Sequence, residues 1–178
     1  MTERREATDE ESRALASALR LRILRVCLSE ARTNQEIAEA LDRNPASTLH
    51  HVRLLTRSGF LQPQPERRGR RGAREVPYLA TRKSWSLSSP AAGRVLLDAF
   101  LEEAALVPAQ DLDTARLGLR LNADNWERFR QRFADLLEEF AGLPDDPDGE
   151  DWSVFLAFHP DVTRDPAARD GGQKSPAR

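Results

Sequence analysis

Two adjacent histidines, His50 and His51, carry side chains that could ligate a metal, transfer a proton or hydrogen-bond to a nucleic acid. They lie in the stretch NPASTLHHVRLLTRSGF, and the 178-residue chain has 3 histidines in all. Successive side chains on a regular helix diverge by about 100°, so this pair cannot ligate one metal ion together. Metal-binding pairs on a helix are spaced by three or four residues. The sequence therefore predicts neither a metal site nor a catalytic pair here.

The element that positions the histidines is a helix predicted over residues 45–57. Asn44 is a favourable N-cap, and Pro45 suits the first helical position. Gly59 follows the predicted end, where a helix commonly needs a glycine. The helix therefore has a start signal, a stop signal and a defined set of faces.

The exposed face of this predicted helix carries side chains that suit contacts with DNA. Thr48, Val52 and Leu55 share the opposite face, which we expect to pack in the core, and His51 falls at the boundary as a structural residue. A recognition helix contacts base edges in the major groove mainly from its N-terminal residues. The alternative is that this face is simply solvated. The helix residues predicted to contact DNA are Pro45, Ala46, Ser47, Leu49, His50, Arg53 and Arg57.

The residues before this helix predict the rest of a helix-turn-helix. A one-sided apolar stripe marks a helix over 10–30, and Cys27 lies on it, which predicts a buried thiol rather than a reactive one. Thr33 and Glu36 have the spacing of a capping box at the start of a short second helix. Two short helices after a longer one form the tri-helical pattern. We predict that Thr33 and Asn34, at the start of the short helix, also contact DNA.

A hairpin with an arginine-rich tip is predicted after the helix-turn-helix. FLQPQ and EVPYLAT are predicted strands, and PERRGRRGAR lies between them. A hairpin in this position is the wing of a winged helix. Arginine suits phosphates and narrow minor grooves, so we predict DNA contacts; the alternative is charge that only keeps the chain soluble. The arginines are Arg67, Arg68, Arg70, Arg71 and Arg74.

Charge is distributed unevenly along the chain. Residues 1–86 hold 17 Lys and Arg against 11 Asp and Glu, a net charge of +6, whereas residues 87–178 have a net charge of −8. The basic half suits a polyanion as partner, and the acidic half does not. The sequence has no apolar run of about 20 residues, no secretory signal and a single cysteine, which together predict a cytoplasmic protein without membrane contact.

The acidic half predicts a linking helix and a small strand–helix–strand module. Residues 89–107 begin with a Ser-Pro cap signal and form a helix that we expect to dimerise. TARLGLRLN alternates as a half-buried strand does, WSVFLAFHP is a second predicted strand, and a helix with an aromatic face is predicted over 123–141. We expect this module, 108–160, to support a dimer or to sense a small-molecule effector. A disordered tail is predicted over 161–178.

The sequence TNQEIAEALDRNPASTLHHVRLLTRSGFLQP resembles the helix-turn-helix of the arsenic-repressor (ArsR-like) group of bacterial winged-helix regulators. The matching elements are EIAEAL, HHVRLL and SGFL, and LASALRLRIL resembles the group's first helix, with Arg22 before the Ile-Leu pair. The resemblance covers about residues 13–86. Metal-sensing members carry a Cys-x-Cys type site near the second helix, so this chain resembles a member without a metal site. The resemblance implies a recognition helix at 45–57, with characteristic positions at Ser47, His50, His51 and Arg53.

These patterns predict an α+β protein with a flexible arm at 1–9, a winged helix-turn-helix domain at 10–88, the linking helix and the C-terminal module. The predicted function is a sequence-specific, DNA-binding transcriptional regulator, a homodimer that recognises a palindromic operator. Helix 45–57 enters the major groove and the wing enters the minor groove. We predict no catalytic site, metal or cofactor. A nucleic-acid enzyme would need clustered carboxylates or metal ligands, and a protein-interaction scaffold would not need the wing arginines.

Overall fold

The computed structural model describes residues 4–69, 72–88, 92–144, 146 and 148–164. The chain divides into two compact units, Met1–Leu112 and Asp113–Arg178. None of the described helices has the length and apolar content needed to cross a bilayer. The helices are α1 (Asp9–Leu15), α2 (Ala18–Val26), α3 (Asn34–Ala40), α4 (Pro45–Arg57), α5 (Ala92–Ala104) and α6 (Ala123–Ala141). The strands are β1 (Arg5–Glu6), β2 (Arg32–Thr33), β3 (Leu61–Pro63), β4 (Arg67–Arg68), β5 (Arg74–Glu75), β6 (Pro77–Ala80) and β7 (Leu87–Ser88).

Helices α2, α3 and α4 form the tri-helical part of the first unit around one core. The bounds of α4 match the predicted helix over 45–57 because its start is capped: the Asn44 side chain accepts a hydrogen bond from the Ala46 amide at 2.8 Å. Gly59, with a φ of 73°, turns the chain after α4 in a conformation that favours glycine. Burial raises the pKa of the Cys27 thiol to about 12, which confirms the predicted core position. The largest fully buried side chains are those of Phe60, Ile23, Ile37, Leu55, Leu61 and Val52.

The predicted hairpin follows α4 directly and completes the winged helix-turn-helix. Strand β6 is the centre of a three-stranded antiparallel sheet, with β2 on one side and β3 on the other. Leu61 lies opposite Ala80 in this ladder, and both are buried. Beyond it, β4 and β5 pair as the tip of the wing. Because β2 precedes α3 in the chain, the sheet fastens the wing to the start of the helix-turn-helix.

Two N-terminal predictions require correction. The arm at 1–9 is predicted to be flexible, but in its described part, residues 4–9, β1 pairs in parallel with β7, and the Ala7 amide donates to the Ser88 carbonyl at 3.0 Å. The helix predicted over 10–30 is two helices, with a break before α2 at Ser17, whose backbone is extended. The Arg20 guanidinium closes the end of α1 by donating to main-chain carbonyls there. An apolar stripe records which face is buried and not where a helix is interrupted, so the break was missed.

In its described residues, the second unit contains the predicted helix but not the predicted strands. The side chain of Asn122 caps α6 by accepting a hydrogen bond from the Asn125 amide at 2.8 Å. Within the described part of this unit, neither the 115–121 segment nor the 152–159 segment belongs to a sheet. Phe158 instead packs its ring on the aromatic face of α6. Alternating apolar residues record one-sided packing, whereas a strand also needs a neighbouring backbone to bond.

Some predictions lie outside the described residues. These are the Ser-Pro signal at 89–90 that precedes α5, and most of the tail predicted to be disordered. The tail is described only to Arg164, whose amide donates to the Asp161 carbonyl in a turn.

Candidate nucleic-acid interface

Helix α4 has one buried face and one exposed polar face. Thr48, Val52 and Leu55 are completely buried, because they lie on the side that packs against the core. The buried Thr48 hydroxyl has a hydrogen-bond partner, because it donates to the Asn44 carbonyl at 3.0 Å. Pro45 and Leu49 are half-buried at the edges of the helix. The exposed side chains predicted to contact DNA are those of Ala46, Ser47, His50, Arg53 and Arg57.

The first turn of α3 contacts the start of α4, so its side chains are not all exposed. Thr33 is buried, and its hydroxyl accepts a hydrogen bond from the Glu36 amide at 3.2 Å as the α3 cap. Because this oxygen caps α3, the Thr33 side chain has a structural role, and its contact with DNA stays a prediction. Asn34 is half-buried, and its Nδ2 donates to the Pro45 carbonyl at 2.9 Å. This bond fixes the start of α4 on the start of α3, a positioning role that the sequence did not reveal.

The two histidines diverge, as the helical spacing predicts. Their ring centroids are 5.7 Å apart and the ring planes cross at 76°. His51 is half-buried, and burial, followed by the positive charge of Arg20 and by His50, lowers its pKa and favours the neutral ring. His50 faces solvent beside the exposed arginines. The residues that the structure describes include no group of three or more His, Cys, Asp or Glu that could hold a metal ion.

The tip of the wing brings several arginines together. Arg67 and Arg68 lie on β4, and Arg68 is the direct cross-strand partner of Arg74 on β5. All three side chains are exposed and line an open cavity of about 460 Å³ on the hairpin. Arg70 and Arg71 lie outside the described residues. Gly72, just before β5, has a φ of 73°, a conformation that favours glycine.

Two wing arginines make ion pairs with carboxylates of the protein itself. Arg67 pairs with Glu36 of α3, and Arg74 pairs with Glu66. Because Glu36 also caps α3, the wing is tied to the same helical turn that braces α4. The spacing of Thr33 and Glu36 predicts the capping role of Glu36, but no local pattern marks its partner 31 positions away.

A second ion-pair cluster supports the opposite end of α4. Lys83 donates to the Ser58 carbonyl at 2.8 Å, at the C-cap of α4, and its ammonium lies 5.0 Å from the Phe60 ring centroid. The same ammonium lies 2.7 Å from the buried Glu11 carboxylate. Arg5 donates to both Glu11 oxygens, at 2.8 and 2.6 Å. The hydrogen bonds from Arg5, then Lys83, then Thr8, hold the pKa of Glu11 well below its usual range.

Comparison with known proteins gives limited similarity. No family model matches the sequence, and no curated protein matches it. Similar solved structures include reduced HlyU from Vibrio cholerae, with 22% identity over 50% of this chain and 81% of that chain, at a TM-score of 0.34. An apo-form ZitR mutant from Lactococcus lactis has 21% identity over 72% of this chain and 85% of that chain, at a TM-score of 0.33. A MepR mutant from a multidrug-resistant S. aureus clinical isolate has 12% identity over 72% and 78%, at a TM-score of 0.27. These scores are low, so the functional proposal depends on the geometry of the helices and the wing.

Proposed function

We propose that the protein is a transcriptional regulator that binds double-stranded DNA as a homodimer, with α4 in the major groove and the wing in the minor groove. The observation that carries this proposal is the start of α3, which connects both DNA-facing elements. Asn34 bonds the start of α4, and β2, which leads directly into α3, pairs with β6 of the wing hairpin. A polar helix face and an arginine-rich hairpin are thereby fixed relative to each other, as simultaneous contacts with two grooves require.

The side chains along α4 suit a division of labour on DNA. Ala46 and Ser47 are short and exposed, so the start of the helix can approach the base edges closely. Arg53 can donate two hydrogen bonds to a guanine, which discriminates it from other bases. His50 can bond a base edge or a phosphate, and Arg57, near the end of the helix, suits a phosphate.

The wing supplies affinity without sequence preference. Its exposed arginines bring positive charge to a narrow hairpin that a minor groove can admit. Each phosphate neutralised by arginine releases counterions, so binding weakens as salt rises. We include Arg70 and Arg71 in this role on the basis of the sequence alone.

The homodimer is proposed because a two-fold pair of recognition helices fits a palindromic operator. The first unit exposes apolar side chains on α5, including Leu96 at 48% and Leu101 at 54%. The second unit exposes Phe140 at 61% and Trp152 at 77%. Apolar surface of this kind marks interaction sites. We propose that a second copy covers it, with a hydrophobic effector as the alternative occupant of the α6 face.

Binding of the full chain to a random-sequence duplex pool tests the proposal. We expect affinity to fall steeply with salt, and successive rounds of selection to enrich a two-fold symmetric site with half-sites one helical turn apart, roughly 10–10.5 base pairs. Salt-independent binding with no enriched sequence would contradict it and would favour a protein-interaction scaffold instead.

A further inference from the structure

One carboxylate, that of Glu36, serves two parts of the proposed DNA interface. Its Oε2 accepts a hydrogen bond from the Thr33 amide at 2.8 Å and so caps α3. Its Oε1 pairs with the Arg67 guanidinium of the wing. The Arg67 and Glu36 side chains are 45% and 40% exposed, so water and other anions can reach the pair. The carboxylate is therefore fixed by the helix cap while its other oxygen holds a wing cation at the surface.

The cap and the wing both favour the charged form of Glu36. Burial alone would raise its pKa, but the hydrogen bonds from Thr33 and the charge of Arg67 outweigh this and lower the pKa. An arginine guanidinium keeps its positive charge in proteins. Both partners are thus charged at neutral pH in the free protein.

A DNA phosphate and the Glu36 carboxylate can both bind the Arg67 guanidinium. A guanidinium binds carboxylates and phosphates through the same N–H donors, in the same planar geometry. The Arg67 Nη2 group, which bonds Glu36, is therefore unavailable to a phosphate until the pair separates. An exposed pair is weak enough to separate on binding.

We propose that Glu36 competes with DNA phosphate for Arg67: the free protein holds this arginine on the first turn of α3, and DNA binding transfers it to a phosphate. This inference rests on the proposed function. The wing of the free protein is then partly neutralised by its own carboxylates, since Arg74 also pairs with Glu66. DNA must displace these contacts before the wing exerts its full charge.

Glu36→Gln tests the exchange without removing the helix cap. Glutamine at this position still completes a capping box, so the variant keeps α3 while losing the negative charge. We expect Glu36→Gln to bind random-sequence duplex DNA about two- to fivefold more tightly at low salt, the range for an exposed ion pair. The gain should shrink as salt rises, because salt screens the pair.

Two comparisons separate exchange from a general change in charge. Glu39→Gln removes the same charge from the same helix, at a side chain that accepts from Gln35 rather than from a wing arginine. We expect a smaller gain from it. We also expect the Glu36→Gln gain to disappear in the Arg67→Ala background, whereas the Glu39→Gln gain should persist there.

Several results would overturn the exchange. Weaker DNA binding by Glu36→Gln would mean that the pair positions the wing for binding. A gain of the same size with Arg67 absent would mean that only net charge matters. Heparin, a sulfated polyanion without base pairs, is the second probe of the same variants, and the same Arg67-dependent gain is expected on it. Absent salt-dependent binding to duplex DNA, with the heparin result intact, would contradict the proposed function alone; absence of the gain on both would overturn the exchange.

Discussion

The two units differ in how far their apolar residues are buried. In the first unit, side chains from α2, α3, α4 and the wing strands meet in a core whose largest members are completely buried. In the described part of the second unit, α6 has no buried residue, and its aromatic rings contact each other at centroid distances of 4.9 to 5.9 Å. An amphipathic pattern thus specifies a face, but a closed core needs a second face to meet it.

Removing one phenylalanine from each unit should change stability by very different amounts. Phe60 is 1% exposed, so Phe60→Ala should destabilise the first unit by about 3–5 kcal/mol through a lost transfer energy and a cavity. Phe140 is 61% exposed within one chain, so at protein concentrations too low for the proposed dimer the same substitution should change stability by about 0.5 kcal/mol or less. At concentrations where the dimer forms, we expect the cost at Phe140 to grow, because a second copy covers this face. Thermal and denaturant unfolding of both variants at several protein concentrations would measure this, and a cost at Phe140 that does not change with concentration would contradict its place in the dimer contact.

Deleting residues 113–178 tests whether the first unit folds and dimerises without the second unit. We expect the first unit to keep its unfolding transition, because its core is complete, while the homodimer weakens. Operator affinity should then fall by roughly 10²-fold, as linked half-sites become separate binding events. Sedimentation and DNA binding of both lengths would show this. Equal dimerisation by both would place the dimer contact in the first unit, with α5 as the candidate.

Lowering the pH tests how much the ion-pair cluster at the end of α4 stabilises the first unit. The pKa of Glu11 is depressed by Arg5, Lys83 and Thr8, so its contribution to stability is present above the unfolded value of about 4.3 and is lost as pH falls below it. Glu11→Gln should lower Tm at pH 7 and flatten the loss of Tm below about pH 4. An unchanged acid profile in this variant would show that Glu11 does not stabilise the fold.

A structural feature is predictable from the sequence when the residues that determine it lie close together in the chain. The limits of α4 depend on Asn44, Pro45 and Gly59, all at or next to its ends, and they were predicted correctly. The β1–β7 pairing joins residues about 80 positions apart, and no local pattern marks it. The same holds for the Lys83–Glu11 contact. Phe158 was assigned to a strand because alternation records burial on one side without naming the neighbour.

The predicted interface likewise has features set by nearby residues and features set by tertiary contacts. The 100° helical repeat predicted the exposed face of α4 correctly except at its edges, where Pro45 and Leu49 are half-buried. The contacts of Asn34 with the start of α4 and of Glu36 with Arg67 join residues far apart in the chain, so no local pattern marks them.

The central claim, that α4 recognises bases while the wing supplies charge, is tested most directly by selecting binding sites with Arg53→Ala and Arg68→Ala. Both side chains are exposed arginines, one on each element, so the two variants change the net charge equally. We expect Arg53→Ala to cost about 1–3 kcal/mol on the selected operator and to flatten the preference at one base pair in each half-site. Arg68→Ala should leave the preferred sequence unchanged and make the salt slope shallower by about one unit. Identical base preferences for wild type and Arg53→Ala would contradict the assignment of α4 as the recognition helix.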